Sequence, residues 1–311
     1  MKIVVTGGAG FIGSHVQDAY LDAGHDVIVM DNLSTGSRDF INERSKFYEI
    51  DIRDRDSVFK IFEDEKFDVV NHHAAQMDVR ASVANPVFDA DVNIVGGLNL
   101  LEASVKTGVN QFVFASTGGA IYGEQDFFPA DENHPLRPES PYGVSKLSLE
   151  KYIYYYGKVH DLPWFILRYA NIYGPRQNPH GEAGVIAIFS LKLVKGENPI
   201  INGDGKQTRD FVYVSDVVQA NLAALNYGGN AVVNIGSGIE TDINTVFNIL
   251  VKSSGNSAKP HYRPPKKGEQ RRSVLDNAIA KQLLGWIPST GIVDGLSLTY
   301  SYFFDCEGIK H

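Results

Sequence analysis

The sequence predicts an α/β fold, a doubly wound parallel sheet joined to a smaller, mostly C-terminal α/β domain. Three observations predict it. Short β-branched runs alternate with helix-length segments through the first half of the 311 residues. A glycine-rich turn directly follows the first of these runs. After residue 172 the alternation gives way to loops rich in Gly, Pro and Asn. We expect 1–171 to form the first domain, with 211–238 returning to it, and 172–210 and 239–311 to form the second.

Composition excludes several classes of protein. The formal net charge of −8 argues against a nucleic-acid partner, because phosphate binding needs positive patches. Cys306 is the single cysteine, so an internal disulfide is impossible and a reducing, cytoplasmic location is expected. The first apolar run breaks at Gly7, and no run approaches the roughly 20 apolar residues of a membrane span. We therefore expect neither an export signal nor a membrane segment.

Continuous apolar runs predict the strands of a sheet that is covered on both faces. Segments of helical periodicity, 12–24 and 96–108, lie between them, and the second ends at Gly108, a frequent helix-ending residue. The predicted strands are KIVVT (2–6), DVIVMD (26–31), FYEID (47–51), FDVVNH (67–72), QFVFAS (111–116) and WFILRY (164–169).

The turn TGGAGFIG, residues 6–13, predicts a dinucleotide site of Rossmann type. Gly8, Gly10 and Gly13 form GxGxxG, which lets backbone N–H groups approach a pyrophosphate at the start of a helix. Asp31 ends the second strand, where a carboxylate accepts hydrogen bonds from ribose hydroxyls and repels a 2′-phosphate. NAD is therefore favoured over NADP. The cofactor contacts expected in this first unit are Gly7, Gly10, Phe11, Ile12, Gly13, Asp31 and Asn32.

Later strand ends add further cofactor positions. Asp51 and Ile52 are placed to flank an adenine, and the small residues Ala74 and Ala75 let the dinucleotide pass close to the backbone. The adjacent His72 and His73 point to opposite faces of a strand, so they do not predict a metal clamp. No metal is expected.

The stretch SPYGVSK predicts a helix start that carries two polar groups on one face. Ser140 and Pro141 have the pattern of an N-cap and a first helical residue. Tyr142 and Lys146 are four residues apart and therefore share a face. For an isolated pair, a solvated Tyr and Lys on an ordinary helix is the favoured interpretation.

Taken together, TGGAGFIG, Asp31, ASTGGAIYG and YGVSK occur in the order typical of the extended short-chain dehydrogenase/reductase family, which the chain resembles over nearly its whole length. The likeness is greatest to its UDP-glucose (UDP-galactose) 4-epimerase branch. It implies that Tyr142 is the base, that Lys146 assists it, and that Thr117 is the hydroxyl residue, with Ser116 as the competing candidate. It also places Asn93, like Tyr142 and Lys146, on the nicotinamide side of the cofactor, and it adds Tyr169 to the cofactor contacts.

For a UDP-sugar the likeness implies contacts from Asn171, Gly184, Val185 and Arg209, and from Lys266 where an arginine is usual. Ser273 falls where the family gates the sugar 2-substituent, and a small residue there leaves room for an N-acetyl group. We expect Lys146 and the nicotinamide to lower the pKa of Tyr142 by roughly 3 units. A homodimer is also implied.

The activity implied is UDP-hexose 4-epimerisation through a transient 4-keto sugar with tightly bound NAD, on UDP-glucose and UDP-galactose and also on UDP-N-acetylglucosamine. Gly118 and Gly119 follow Thr117, where dehydratases of the family carry an acid pair. Another nucleotide-sugar epimerase or dehydratase, a net oxidoreductase that exchanges NAD, and a non-catalytic NAD-binding regulator are the alternatives.

Overall fold

The computed structural model describes residues 1–180, 184–255, 257–265 and 270–308. The strands of these residues are β1 Lys2–Thr6, β2 Asp26–Asp31, β3 Lys46–Glu49, β4 Val69–His72, β5 Gln111–Thr117, β6 Trp164–Tyr169, β7 Asn171–Tyr173, β8 Ile200–Asn202, β9 Thr208–Tyr213, β10 Ala231–Ile235, β11 Glu240–Asp242 and β12 His261–Arg263. The helices are α1 Phe11–Asp22, α2 Arg55–Glu65, α3 Val79–Ala84, α4 Pro86–Ala90, α5 Gly96–Thr107, α6 Gly118–Ile121, α7 Pro141–Val159, α8 Val185–Val194, α9 Val214–Leu225, α10 Ile243–Ser254, α11 Ala278–Leu284 and α12 Ile292–Gly308. A 3₁₀ turn lies at Arg38–Phe40 and a π-helical turn at Asp91–Val95.

The central sheet has seven strands in the order β10-β6-β5-β4-β1-β2-β3, and every neighbouring pair is parallel. The predicted doubly wound parallel sheet is thus confirmed. Strand order reverses between β1 and β4, and the carboxyl ends of strands at such a switch point form a ligand crevice. The glycine turn after β1 lies at this crevice.

Two apolar cores cover the sheet, one on each face. The first packs helices α2, α5 and α7 on the sheet through residues such as Phe62, Leu100 and Ile153. The second packs α1, α9 and α11 on the opposite face, where Val16, Val217 and Ala280 are fully buried. Burial on both faces explains why the strands read as continuous apolar runs.

The predicted strands occur, with shifted ends. Strands β1, β2 and β6 have the predicted bounds, and β5 runs one residue further, to Thr117. The prediction that the third strand reaches Asp51 is wrong, because β3 ends at Glu49. Asp51 instead bends the chain, since its carboxylate accepts a hydrogen bond from the backbone N–H of Arg53.

The C-terminal part adds a three-stranded sheet β11-β9-β7 and a two-stranded sheet β12-β8. Helices α8, α10 and α12 enclose a third apolar core with Phe189, Phe247 and Leu296. By contrast α11, although it lies within 239–311, packs on the large sheet against α9 and β10. β10 lies within the stretch 211–238; the division into two domains stays a prediction.

Among the described residues, no helix combines the length and the apolar character needed to cross a membrane.

Candidate active site

The turn after β1 forms a glycine cradle that leaves room for no side chain. A Cβ added at Gly7, whose φ is +70°, would lie 2.6 Å from the backbone nitrogen of Ala74. One added at Gly13 would lie 2.3 Å from the Gly7 carbonyl oxygen. The Gly10 N–H donates to the same oxygen at 3.0 Å, and Phe11 and Ile12 open α1 directly behind it. A tight turn at a helix N-terminus fits a pyrophosphate.

Asp31 connects this cradle to the end of β2. Its buried carboxylate accepts hydrogen bonds from the N–H groups of Ala9, at 3.0 Å, and Leu33, at 2.8 Å. Burial raises the pKa of Asp31, and these two N–H groups oppose that change. The Asp31 carboxylate is therefore held next to the glycine turn, where it can accept hydrogen bonds from a ribose.

The residues that were expected to flank an adenine form a charged turn. Asn32 donates to Asp51 at 3.0 Å, and Arg53 binds Asp51 at 2.8 Å and Asp91 at 3.1 Å. The hydrogen bond from Arg53 is the main reason that the pKa of Asp51 falls to about 2. Ile52 next to it is buried. Arg53 was not foreseen, although it follows Asp51 by two residues.

Ala74 and Ala75 follow β4 beside the cradle, and Asn93 holds the segment after them. The Ala74 N–H reaches Thr6 Oγ1 at 3.3 Å. Asn93, from the π-helical turn, accepts from the Gln76 N–H at 2.9 Å and donates to the Gln76 carbonyl oxygen at 2.9 Å. It also donates to Ser145 Oγ at 3.1 Å. Asn93 therefore ties the end of β4 to α7.

Helix α7 begins as the sequence predicts. Ser140 caps it, accepting from the Gly143 N–H at 3.1 Å, and Pro141 is the first helical residue. The backbone N–H of Tyr142 donates to Ser82 Oγ at 3.2 Å, which joins the start of α7 to α3. Lys146 is buried one turn later, and its ammonium donates to the Ala115 carbonyl oxygen at 2.9 Å.

The predicted lowering of the Tyr142 pKa by Lys146 together with the nicotinamide stays a prediction, because the protein groups alone raise that pKa. Burial raises the pKa of Tyr142, the Asp89 charge raises it further, and a hydrogen bond from Thr117 lowers it. Burial also lowers the pKa of Lys146 to about 8, which weakens it as a cation. A phenolate at Tyr142 therefore needs another positive charge beside it.

Neighbouring hydroxyls at the end of β5 are separated by the alternation of the strand. Thr117 lies close enough to Tyr142 to lower the pKa of its phenol. Ser116 is 3% exposed and donates to Glu150 Oε1 on the other side. Of the two candidates, only Thr117 therefore meets Tyr142.

Ser116 belongs to a buried ion-pair network that sequence reasoning missed. Glu150 and Arg168 pair at 2.7 Å, with side chains 4% and 5% exposed. Arg168 also donates to the Tyr122 hydroxyl at 3.0 Å, and that hydroxyl donates to Asn234 at 2.7 Å. The sequence did contain a signal for Glu150: it follows Lys146 by four residues, as Lys146 follows Tyr142, so all three lie on the same face of α7.

Asn171 and Thr117 flank one space. A Cβ built on Gly119 would lie 3.8 Å from Thr117 Oγ1 and 3.9 Å from Asn171 Oδ1. The Tyr169 side chain is held by other protein groups: its hydroxyl accepts a hydrogen bond from Asn221 at 2.8 Å, and its ring stacks on His73. Contact of Tyr169 with a dinucleotide stays a prediction.

Other expected substrate residues are spread over the C-terminal part. Gly184 caps α8 and Val185 is its first residue. Arg209 lies half-buried on β9 and donates to the Thr208 carbonyl oxygen at 2.7 Å. Ser273 is 2% exposed. Lys266 lies outside the described residues.

Asp210, which was also not foreseen, fastens the C-terminal part to the large sheet. Its buried carboxylate accepts from the N–H groups of Ser237 at 2.7 Å and Leu275 at 3.2 Å. The Leu275 side chain in turn packs against Gly118, where an added Cβ would lie 2.4 Å from Leu275 Cδ1. The segment that carries Ser273 is thereby held over the start of α6. Among the described residues, no group of three or more His, Cys, Asp and Glu could hold a metal ion.

Comparison with known proteins gives one consistent result. The model of the NAD dependent epimerase/dehydratase family matches residues 3–236. UDP-glucose 4-epimerase of Thermotoga maritima, solved with UDP-glucose, superposes with a TM-score of 0.97 at 48% identity and covers 99% of this chain and 100% of its own. The Thermus thermophilus enzyme, solved with NAD, gives 0.93 at 43% identity, with 97% and 99% covered. UDP-glucose 4-epimerase of Mycolicibacterium smegmatis is 40% identical over 309 residues, 97% of this chain and 98% of its own.

Proposed function

This chain belongs to the NAD dependent epimerase/dehydratase family, and we propose that it is a UDP-hexose 4-epimerase that interconverts UDP-glucose and UDP-galactose. The observation that carries the proposal is that Thr117, at the carboxyl end of β5, lies close enough to Tyr142 of α7 to lower its pKa, at the sheet edge that also carries the glycine turn after β1. Gly118 and Gly119 follow Thr117, so the acid pair of a dehydratase is absent there. Thr117 and Tyr142 therefore suit the oxidation and re-reduction of one sugar carbon.

The roles of the residues follow from their positions. Tyr142 takes the proton of the sugar 4-hydroxyl, and Thr117 holds that oxygen in line with the phenol. Bound NAD would supply the acceptor and donor for the 4-hydride, and its oxidised form would supply a positive charge beside Tyr142. Lys146 braces the site through its bond to the Ala115 carbonyl oxygen. The 4-keto sugar receives its proton back from Tyr142 after it has turned over in the site.

Binding of the nucleotide must anchor the substrate while the hexose turns. We assign this anchoring to Arg209 and Lys266 at the diphosphate and to Asn171, Gly184 and Val185. A charged clamp on the diphosphate suits this task because charge-assisted hydrogen bonds are the strong ones. The sugar itself then needs few fixed contacts.

Ser273 extends the proposed substrate range to UDP-N-acetylglucosamine. It is a small, buried residue at the position that gates the 2-substituent. The purified protein should convert UDP-galactose to UDP-glucose without added NAD, and should also epimerise the N-acetylated pair. Strict use of the first pair contradicts the wider range only. Absence of all 4-epimerisation, or reduced NAD accumulating in step with substrate, contradicts the epimerase assignment.

We also propose a homodimer in the cytoplasm. One stripe of α7 is apolar and exposed: Val144, Tyr152, Tyr155 and Val159 are 48%, 42%, 49% and 54% exposed. Their spacing places them on a common side of the helix, next to α5. Pairing of two such faces buries the stripe, and sedimentation equilibrium tests it. The location rests on the single cysteine, Cys306.

A further inference from the structure

Asp89 is a buried carboxylate with half of its hydrogen-bonding capacity unused. It lies on α4 and is 1% exposed. Its Oδ1 accepts from Gln76 Nε2 at 2.9 Å and from Asn93 Nδ2 at 3.1 Å. Its Oδ2 is buried and has no hydrogen-bond partner among the described residues. A buried anion that is only half satisfied is costly, and such groups in native proteins need an explanation.

A short chain of hydrogen bonds joins Asp89 to the first turn of α7. Asn93 Nδ2, which donates to Asp89, also donates to Ser145 Oγ at 3.1 Å. Ser145 Oγ in turn donates to the Tyr142 carbonyl oxygen at 3.0 Å. The position of the carboxylate is therefore fixed relative to the helix that carries Tyr142 and Lys146.

The other charged or titratable groups named around this turn of α7 are either paired or neutral. Glu150 on α7 is bound by Arg168 of β6 and by Ser116 of β5. His72, the last residue of β4, and His73, which follows it, have pKa values lowered mainly by burial, which keeps both rings neutral. Lys146 has no carboxylate within 4.0 Å in the part of the chain that the structure describes. Asp89 is thus a buried carboxylate that acts on Lys146 and has no ion-pair partner among the described residues.

We propose, on the basis of the epimerase function, that Asp89 is an electrostatic positioning residue: a buried anion, tied to α7 through Asn93 and Ser145, that reinforces the neutral phenol of Tyr142 and the ammonium of Lys146 in the resting enzyme. The directions agree. Burial is the main cause of the raised pKa of Tyr142, and the Asp89 charge adds to it. The same charge opposes the fall in the pKa of Lys146 that burial causes. A positive charge arriving beside Tyr142 offsets Asp89, which couples formation of the base to the loaded site.

Asp89→Asn tests this in the purified protein with its own NAD. Removing the negative charge lowers the pKa of both Tyr142 and Lys146. Both limbs of the kcat/KM profile for UDP-galactose should therefore move to lower pH, by about 0.5–1 unit. Asp89→Glu restores the profile. Glu63→Gln, which removes a half-exposed carboxylate paired with Lys106, leaves both limbs in place. A profile that loses height but keeps its limbs overturns the proposal.

A second measurement does not depend on turnover. Tyrosinate absorbance is titrated in Asp89→Asn and in the same protein with Tyr142→Phe, and their difference isolates Tyr142. A pKa of Tyr142 below that of the parent protein supports the role of Asp89 even if UDP-hexose turnover is absent. An unchanged pKa overturns it even in an active enzyme. If Asp89→Asn does not fold, Asp89→Ser, which also removes the charge and leaves space for a water, is held to the same outcomes.

Discussion

Two buried charged clusters lie one turn apart on α7, and they differ in how fully their polar atoms are paired. Around Glu150, both carboxylate oxygens accept from Arg168, one also accepts from Ser116, and Arg168 reaches Tyr122. Around Lys146, the ammonium has one carbonyl partner. Its nearby anion, Asp89, keeps a buried oxygen without a partner among the described residues.

The difference separates a structural cluster from a chemical one. The hydrogen bonds around Glu150 fix α7 to β5 and β6, so moving any member of the network breaks buried hydrogen bonds. An incompletely paired cluster leaves charge free to act on a substrate or cofactor, which is how active sites shift pKa values. Deeply buried charge alone therefore does not mark the catalytic residues of this chain.

The largest effect is expected where the chemical cluster meets substrate. Tyr142→Phe should lower turnover by about 10²–10⁴-fold, because it removes the proton acceptor. The ring still fills its place, so bound NAD and the urea midpoint should match the parent protein. Turnover, NAD content and urea unfolding are measured on the same preparation. Near-normal turnover would place the base elsewhere and erase the contrast between the clusters.

Substitutions in the structural cluster around Glu150 and Arg168 should lower the stability of the protein. Arg168→Met leaves Glu150 buried without a cation, which lowers the free energy of unfolding by about 3–5 kcal/mol. Adding Glu150→Leu should recover much of the loss, because the unpaired charge is then gone. Urea titration of the two variants measures both steps. Breaking the exposed pair Arg55–Glu102 with Arg55→Met is the matched control, and it should change the midpoint little. A single variant as stable as the parent would show that the network is not holding α7.

The smallest and sharpest test uses the neighbours on β5. Thr117→Val should lower turnover by about 10- to 100-fold and leave stability nearly unchanged, because its hydroxyl faces Tyr142. Ser116→Ala should do the reverse, lowering the free energy of unfolding by about 1–2 kcal/mol through the lost bond to Glu150. Turnover and urea midpoint are recorded for both. If the two variants exchange behaviours, the assignment of the catalytic hydroxyl is wrong.

Local patterns made much of the fold predictable. Apolar runs identified the six strands of the first half, and Gly108 ends α5 in the left-handed conformation, at φ +75°. Ser140 and Pro141 start α7 as expected. These features depend on neighbours within a few residues, which a sequence displays directly. The end of β3 was misplaced because the side chain of Asp51 competes with the strand ladder.

Long-range pairing is what the sequence did not display. Glu150 meets Arg168 across two elements, and Asp210 reaches Leu275 across the C-terminal part. The influence of Asp89 on Tyr142 was not foreseen for the same reason, since Asp89 comes from a different helix. Helical spacing would have suggested Asp89 beside Asn93, but not its distance from α7.

The alternation of Ser116 and Thr117 on β5 sets a limit on how this chain can change length. Deleting one codon between Gln111 and Ala115 shifts the strand end by one side chain, so the two hydroxyls exchange faces. Thr117 would then take the place of Ser116 beside the ion pair, and Gly118, which has no hydroxyl, would take the place of Thr117 in the reaction. Viable insertions and deletions are therefore expected after the strand, in the loop 123–139, where reading-frame-preserving changes leave both faces intact.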